Sequence, residues 1–401
     1  MAVKRKIITQ TILLLSFVSL FTDVASEMLY PIMPVYLKSI GFSILLIGIL
    51  EGVAEAVAGL SKGYFGQLSD RCHKRAPFIR GGYTLSAFSK PMLALFAFPV
   101  WIFFARTLDR FGKGIRTSAR DAMLSDETSK ENKGKVFGFH RSMDTFGAAI
   151  GPLFALIFLY FYPGQYRWMF FIAFLPGMIA VALTFFLKDK TDGKTPGQTT
   201  GSPGFFAYFK YWKKASAPFR YLVAGLLVFT LFNSSDAFLL LALKEQKLSD
   251  STMIGAYIFY NLIYALFSYP IGVVADKIGL KTMLAGGLML FAVVYFLMGF
   301  ATSLFMFAIL FFCYGIYAAS TEGISKALLS NLASRSETAT ALGLYNSLAS
   351  IGALLSSSMA GVLWFVYGPK TLFMVSGIGV FTVVCYFMVI FYTTPRLKQR
   401  A

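Results

Sequence analysis

The sequence predicts an all-α polytopic membrane protein with twelve transmembrane helices in two pseudo-symmetric six-helix bundles. Three observations carry this expectation. The 401 residues are 57% hydrophobic, 17% aromatic and 14% charged, whereas a soluble domain carries about 25% charged residues. Apolar runs of roughly 20 residues, enough to cross a bilayer, recur along the whole chain. Short motifs of the first half return in the second at an almost constant offset.

The formal net charge of +18 would suggest nucleic acid in a soluble chain. Here Lys and Arg gather in alternate loops, the pattern of segments retained in the cytoplasm and drawn to anionic headgroups. The partner expected from this pattern is therefore a bilayer with anionic lipids at its cytoplasmic face, and no nucleic acid. Cys72, Cys313 and Cys385 are scattered, and His73 and His140 do not cluster. No disulfide framework, metal site or cofactor is expected from them.

Taken in order, the spans fall near 9–37, 44–66, 77–98, 100–120, 136–161, 168–187, 221–243, 252–274, 281–301, 304–326, 340–366 and 371–393. The run from Ile8 is too long for a signal-peptide core and reads as the first span. One set of loops holds Lys4, Arg5 and Lys6, then Arg71, Lys74 and Arg75, then Lys130, Lys133 and Lys135, then Lys277 and Lys281, then Arg396, Lys398 and Arg400. The opposite set holds little beyond Lys38, Arg167, Lys247 and Lys370. Both termini are therefore expected in the cytoplasm, with the protein a monomer in the cytoplasmic (inner) membrane. The domains expected are 1–187, a cytoplasmic linker over 188–220, and 221–401. The linker's "KTDGKTPGQTTGSPG" half is flexible chemistry. Its "FFAYFKYWKKA" half mixes aromatics with lysines and suits a short interfacial helix.

The internal repeat is the most informative feature. "GQLSDRCHKR" begins at Gly66 and "GVVADKIGLK" at Gly272, an offset of 206. "GFHRSMDTFGAA" from Gly138 matches "GLYNSLASIGAL" from Gly343, an offset of 205. "DAMLSD" from Asp121 matches "KALLSN" from Lys326, again 205. Repeats of this kind suit a transporter whose substrate site lies near the membrane midplane.

On these motifs the chain resembles a major facilitator superfamily (MFS) transporter over essentially its whole length. Gly66, Asp70, Arg71 and Arg75 stand where that family's loop signature G-x-L-x-D-R-x-G-R-R has them, with His73 in place of the usual glycine. Gly272, Asp276 and Lys277 repeat the pattern, and Gly279 keeps the glycine. The resemblance implies a gating latch between the halves; an ordinary positively charged loop is the alternative. Gly138, Gly147, Gly151 and Pro152 resemble the fifth-span signature of proton-coupled drug antiporters, although Ala155 and Leu156 replace its last glycines. Arg110 and Gly114 resemble the fourth-span pattern in which the Arg is linked to proton coupling.

Charges inside spans are costly unless they face water or a partner. In 101–126, Arg106, Arg110 and Lys113 share one helical stripe, and Asp109, Lys113, Arg116 and Arg120 share another. Asp23 and Glu27 lie one turn apart in the first span with Tyr30 beyond, and Glu51 and Glu55 one turn apart in the second. The fifth span adds His140, Arg141 and Asp144; the seventh Asn233 and Asp236; the tenth Tyr314, Glu322 and Lys326. Two readings remain open for them, a proton and substrate relay or static ion pairs. Proton coupling is assigned to Asp23, Glu27, Arg106, Asp109, Arg110, Lys113, Arg141, Asp144 and Asp236. The substrate cavity is assigned to Tyr30, Glu51, Glu55, His140, Asn233 and Tyr314. Arg116, Arg120, Glu322 and Lys326 join the loop residues as gating pairs.

The expected function is secondary active transport by alternating access, as proton-coupled efflux of an amphipathic or drug-like compound. The alternative is proton-coupled uptake of an anionic nutrient or metal-chelating carboxylate. A receptor or scaffold keeping the fold is a reading of another class. An enzyme is not expected, since no GxSxG, HExxH or P-loop pattern is present.

Overall fold

The computed structural model describes residues 7–30, 32–189 and 203–393. The basic clusters at both termini and linker residues 190–202 lie outside them. Among the described residues the regular elements are helical throughout, with no strand. The helices are α1 (Gln10–Glu27), α2 (Met33–Ser39), α3 (Ile44–Arg71), α4 (Ala76–Leu95), α5 (Pro99–Asp126), α6 (Lys133–Phe161) and α7 (Tyr166–Thr184). They continue as α8 (Tyr211–Lys214), α9 (Ala217–Phe232), α10 (Asp236–Glu245), α11 (Asp250–Ile278), α12 (Leu280–Met298), α13 (Leu304–Leu332) and α14 (Thr338–Thr393).

Hydroxyl side chains start many of these helices. Thr9, Ser43, Ser216, Ser249 and Ser303 each accept a hydrogen bond from the backbone N–H three residues on, which satisfies one donor that the helix itself cannot. Two expected spans are each divided into two helices. The first breaks between α1 and α2, where Pro34 lies in the opening turn of α2 and lacks the N–H that a continuous helix needs. The seventh breaks at Asn233, and Ser235 caps α10 through the N–H of Ala237. The last two spans run on as α14, interrupted at Gly368, where φ is +83° and Pro369 follows.

Seven of the described helical stretches are long and apolar enough to cross a membrane. The chain is a multi-pass membrane protein. α5 falls short of that measure because it carries charges from Arg106 to Asp121.

The chain forms two compact units. The first comprises Met1–Ser129, Met143–Lys214 and Ser334–Ser347; the second comprises Lys130–Ser142, Ala215–Ala333 and Leu348–Ala401. The first unit's apolar core joins Met28, Leu29 and Tyr36 to Leu93, Ile102 and Phe170, and the Tyr36 and Phe170 rings meet edge-on at 4.9 Å. The second unit's core is strongly aromatic. Phe291 stacks on Tyr295 at 4.0 Å and meets Tyr317 edge-on at 4.8 Å.

Candidate functional site

In the first unit α5 faces α3 and α4 through a ladder of charges. Arg106 grips Glu51 with both sides of its guanidinium, Nε to Oε1 at 2.8 Å and Nη2 to Oε2 at 2.9 Å. Its Nη1 also lies 3.4 Å from Asp109. Asp109 is shared with the buried Lys90 of α4 at 3.5 Å, and the Lys90 ammonium donates to the Ser86 carbonyl at 3.0 Å. One turn further on, Arg110 pairs with Glu55 at 3.1 Å. Arg116 donates to the Ser86 hydroxyl at 2.7 Å and lies 4.4 Å over the Tyr83 ring. α4 and α5 come this close because Gly82 and Gly112 face each other; a Cβ on either would lie 2.6 Å from the other's carbonyl oxygen.

Lys113 completes the α5 stripe differently. It is exposed, and among the described residues no carboxylate lies within 4 Å of its ammonium. Its charge nonetheless interacts with those of Asp23 and Glu55.

Asp23 on α1 and Asp144 on α6 bring two carboxylates close enough for their charges to interact. Ser19 donates to Asp144 at 2.8 Å, and Arg120 donates to Ser19 at 2.9 Å while lying 3.9 Å from Asp144. Arg120 is otherwise held by its neighbour Asp121. Glu27 and Tyr30 lie further along α1 and beyond it; Tyr30 is half exposed. α6 reaches α1 through Gly147 and Gly151. A Cβ at Gly151 would lie 2.7 Å from the Met28 nitrogen, and one at Gly147 would overlap the Leu20 carbonyl. Pro152 lies inside α6.

The second unit gathers a different set. Asp236, the first residue of α10, accepts hydrogen bonds from the hydroxyls of Tyr314, at 2.7 Å, and Tyr260. Arg141 binds Tyr264 and Glu322. His140 is buried, and Asn233 ends α9 through its backbone N–H, which donates to the Phe229 carbonyl. Lys326 lies one turn beyond Glu322 on α13. Tyr260 and Tyr264 escaped the sequence analysis, as did Ser19. Tyr257, Tyr260 and Tyr264 stand at i, i+3 and i+7 on α11, a stripe legible in principle but absorbed among 43 Phe and 21 Tyr.

The two loop motifs show one geometry twice. Asp70 accepts from Ala339 N at 3.3 Å, Thr340 N at 2.6 Å and Thr340 Oγ1 at 2.6 Å, at the start of α14. Asp276 accepts from Gly134 N at 2.8 Å and Lys135 N at 2.9 Å, at the start of α6. Each carboxylate satisfies the first orphan donors of a helix and faces its positive dipole end. Gly66 and Gly272 lie against the backbones of Ala339 and Gly134, where a Cβ would overlap a carbonyl oxygen. Gly138 packs on Ser268, and Gly343 packs on Lys62. Arg75 pairs with Asp70 and lies 3.8 Å from Asp126, while Arg71 and Lys277 are exposed.

A helical membrane protein with a duplicated plan and ionised side chains held inside its bundles is, by class, a transporter. The sequence matches the Major Facilitator Superfamily over residues 15–259 and 222–401, and the chain belongs to that family. It is 33% identical to an uncharacterized MFS-type transporter of Methanocaldococcus jannaschii over 384 residues, 92% of this chain and 94% of that protein. It is 23% identical to citrate exporter 1 of Aspergillus niger over 293 residues, 66% of this chain and 52% of that protein. Among solved structures, the human organic anion transporter MFSD10 superposes with a TM-score of 0.82 at 16% identity, over 94% of this chain and 98% of that one. The E. coli fucose:proton symporter gives 0.76 at 11% identity, over 96% and 99%. These two likenesses show the fold. The protein is thus a transporter of a small molecule and not an enzyme.

Proposed function

We propose that the chain is a proton-coupled carrier of a small organic anion, working by alternating access in the cytoplasmic membrane with both termini in the cytoplasm. The observation that carries this is Lys113, an exposed cation without a close carboxylate on the α5 stripe, next to the Asp23–Asp144 pair. An anion at Lys113 and a proton on that pair each cancel charge that the other would leave uncompensated. Their binding is therefore mutually favourable, and linkage makes the preference reciprocal. Two solutes that bind together are carried together, so the electrostatics favour cotransport of anion and proton. Latches at Asp70 and Asp276, and the domains 1–187 and 221–401 joined by the 188–220 linker, fit such a carrier.

Export of a drug-like compound by proton antiport was motivated by the α6 glycines. In the structure Gly147 and Gly151 are notches for α1, a packing role that suits either direction of transport. The printed names of a citrate exporter and an organic anion transporter among similar proteins support the anion class. The test is uptake of radiolabelled mono-, di- and tricarboxylates into proteoliposomes. At least one should accumulate, Lys113→Ala should raise its KM at least tenfold, and Lys113→Arg should restore part of the loss. A neutral or cationic substrate carried equally well by Lys113→Ala would overturn the proposal, and flux of nothing tested would favour the receptor reading.

A further inference from the structure

The second half of the linker is docked on the first unit, and the docking creates a basic pocket that the transport site does not use. Tyr208 is fully buried; its ring fills the notch at Gly63, where a Cβ would collide with it. Its hydroxyl is buried without a hydrogen-bond partner, and the nearby Ser347 is held by the same stretch of α3, donating to the Gly59 carbonyl at 2.7 Å and accepting from Gly63 N at 3.0 Å. Phe205 stacks on Tyr64 at 5.3 Å. With the segment fixed at these points, Lys210, Tyr211 and Lys214 line a pocket with Gln67 and Arg71 of α3 and with Glu337 and Thr340.

Three features of this pocket point to one ligand chemistry. Its charge is cationic on balance, three cations against Glu337. Lys214 touches Glu337 only at 3.9 Å, and among the described residues Arg71 and Lys210 have no carboxylate within 4 Å. The Gln67 amide oxygen is buried with no hydrogen-bond partner, an unmet acceptor that calls for a donor such as a ligand hydroxyl. Phe205, Phe206 and Phe209 are exposed on the same short segment, the pairing of aromatics with lysines that sits at a headgroup boundary. Burial, with Glu337 and Asp70 nearby, pushes the Tyr211 phenol up to about 12, so it stays a neutral hydroxyl at physiological pH.

We propose that this pocket binds the glycerol-phosphate headgroup of an anionic phospholipid. Its phosphate lies among Arg71, Lys210 and Lys214, its glycerol hydroxyl donates to Gln67, and its acyl chains run beside the exposed phenylalanines. The site adjoins the Asp70 latch through Thr340, so occupancy ties the linker, α3 and the start of α14 together.

The purified full chain in zwitterionic detergent is titrated with phosphatidylglycerol, phosphatidylcholine or soluble sn-glycerol 3-phosphate, and the thermal midpoint is read. Phosphatidylglycerol should raise the midpoint by several degrees more than the other two. Replacing Arg71, Lys210 and Lys214 together by Ala should abolish that preference, and Lys213→Ala, outside the pocket, should keep it. Gln67→Glu adds a repelling charge with little change of shape and should reverse the preference. Equal shifts with both lipids, a preference that survives Gln67→Glu, or the same shift from sn-glycerol 3-phosphate alone would each overturn the assignment. The readout is independent of transport, so its failure and that of the anion-carrier proposal are distinguishable.

Discussion

His73 shows how one backbone angle explains a signature position. It follows α3 with φ +50°, its N–H donates to the Asp70 carbonyl, and the Lys74 N–H reaches back to Ser69. That is the hydrogen-bond pattern of a helix end that favours glycine at this position. Gly279, the matching residue of the second motif, has φ +101°. A side chain in the left-handed region costs about 1 kcal/mol. His73→Gly should therefore stabilise the protein by about that amount, a rise of roughly 1–2 °C in thermal midpoint, whereas His73→Ala should gain nothing. Equal midpoints for the Gly and Ala variants would contradict this account. The substitution was visible in the sequence, but the strain it carries was not, because φ is a property of the folded turn. Lys113 was legible only as a member of a stripe. Which stripe residues are neutralised depends on Glu51 and Glu55 reaching Arg106 and Arg110 from another helix, and no spacing within one segment encodes that.

Among the elements, helix ends and helix crossings dominate. Asp70 serves α14 and Asp276 serves α6, and removing such a cap costs about 0.5–2 kcal/mol. Asp70→Ala should speed amide hydrogen exchange at residues 339 and 340 and leave 134 and 135 unchanged; Asp276→Ala should do the reverse. Uniform acceleration in either variant would mean that the carboxylates act globally rather than as local caps. At the α6–α1 crossing, Gly151→Val forces a branched side chain against the Met28 nitrogen. Overpacking of this kind costs about 1–3 kcal/mol. Gly286→Ala, where a Cβ meets nothing within 4 Å, should be neutral or mildly stabilising in the same thermal assay. The existence of nearly every long helix was readable from apolar length alone. The breaks at Asn233 and between α1 and α2 were less so, since a window of 20 apolar residues averages over a local loss of helical hydrogen bonds. Pro34 supplies the physical reason for the first break, but the apolar length runs straight across it. The run Asn233 to Asp236 flagged only polarity, and needed Ser235 as a cap to become a second helix start.

At the scale of the whole molecule, the duplication has kept its ends and changed its interiors. The caps, the motif glycines and the positive-φ turn recur at offsets of 205 or 206. Inside, positions equivalent to Glu51, Arg106 and Arg110 hold Tyr257, Phe311 and Gly315. At these positions the first unit is therefore ionic where the second is aromatic, and in the second unit Asp236 is held by the phenols of Tyr260 and Tyr314. The repeat made the fold legible. It could not reveal this divergence as function, because partners across helices decide whether a charge is spent or available. The account places anion and proton in one transport step through Lys113 and the Asp23–Asp144 pair. The most direct test traps a pH-sensitive dye in proteoliposomes, imposes an inward gradient of the carried carboxylate with membrane potential clamped, and subtracts protein-free liposomes. The lumen should acidify as the anion enters, and Asp144→Asn should uncouple or abolish the signal. Alkalinisation of the lumen, or anion entry with no change in internal pH, would contradict the account.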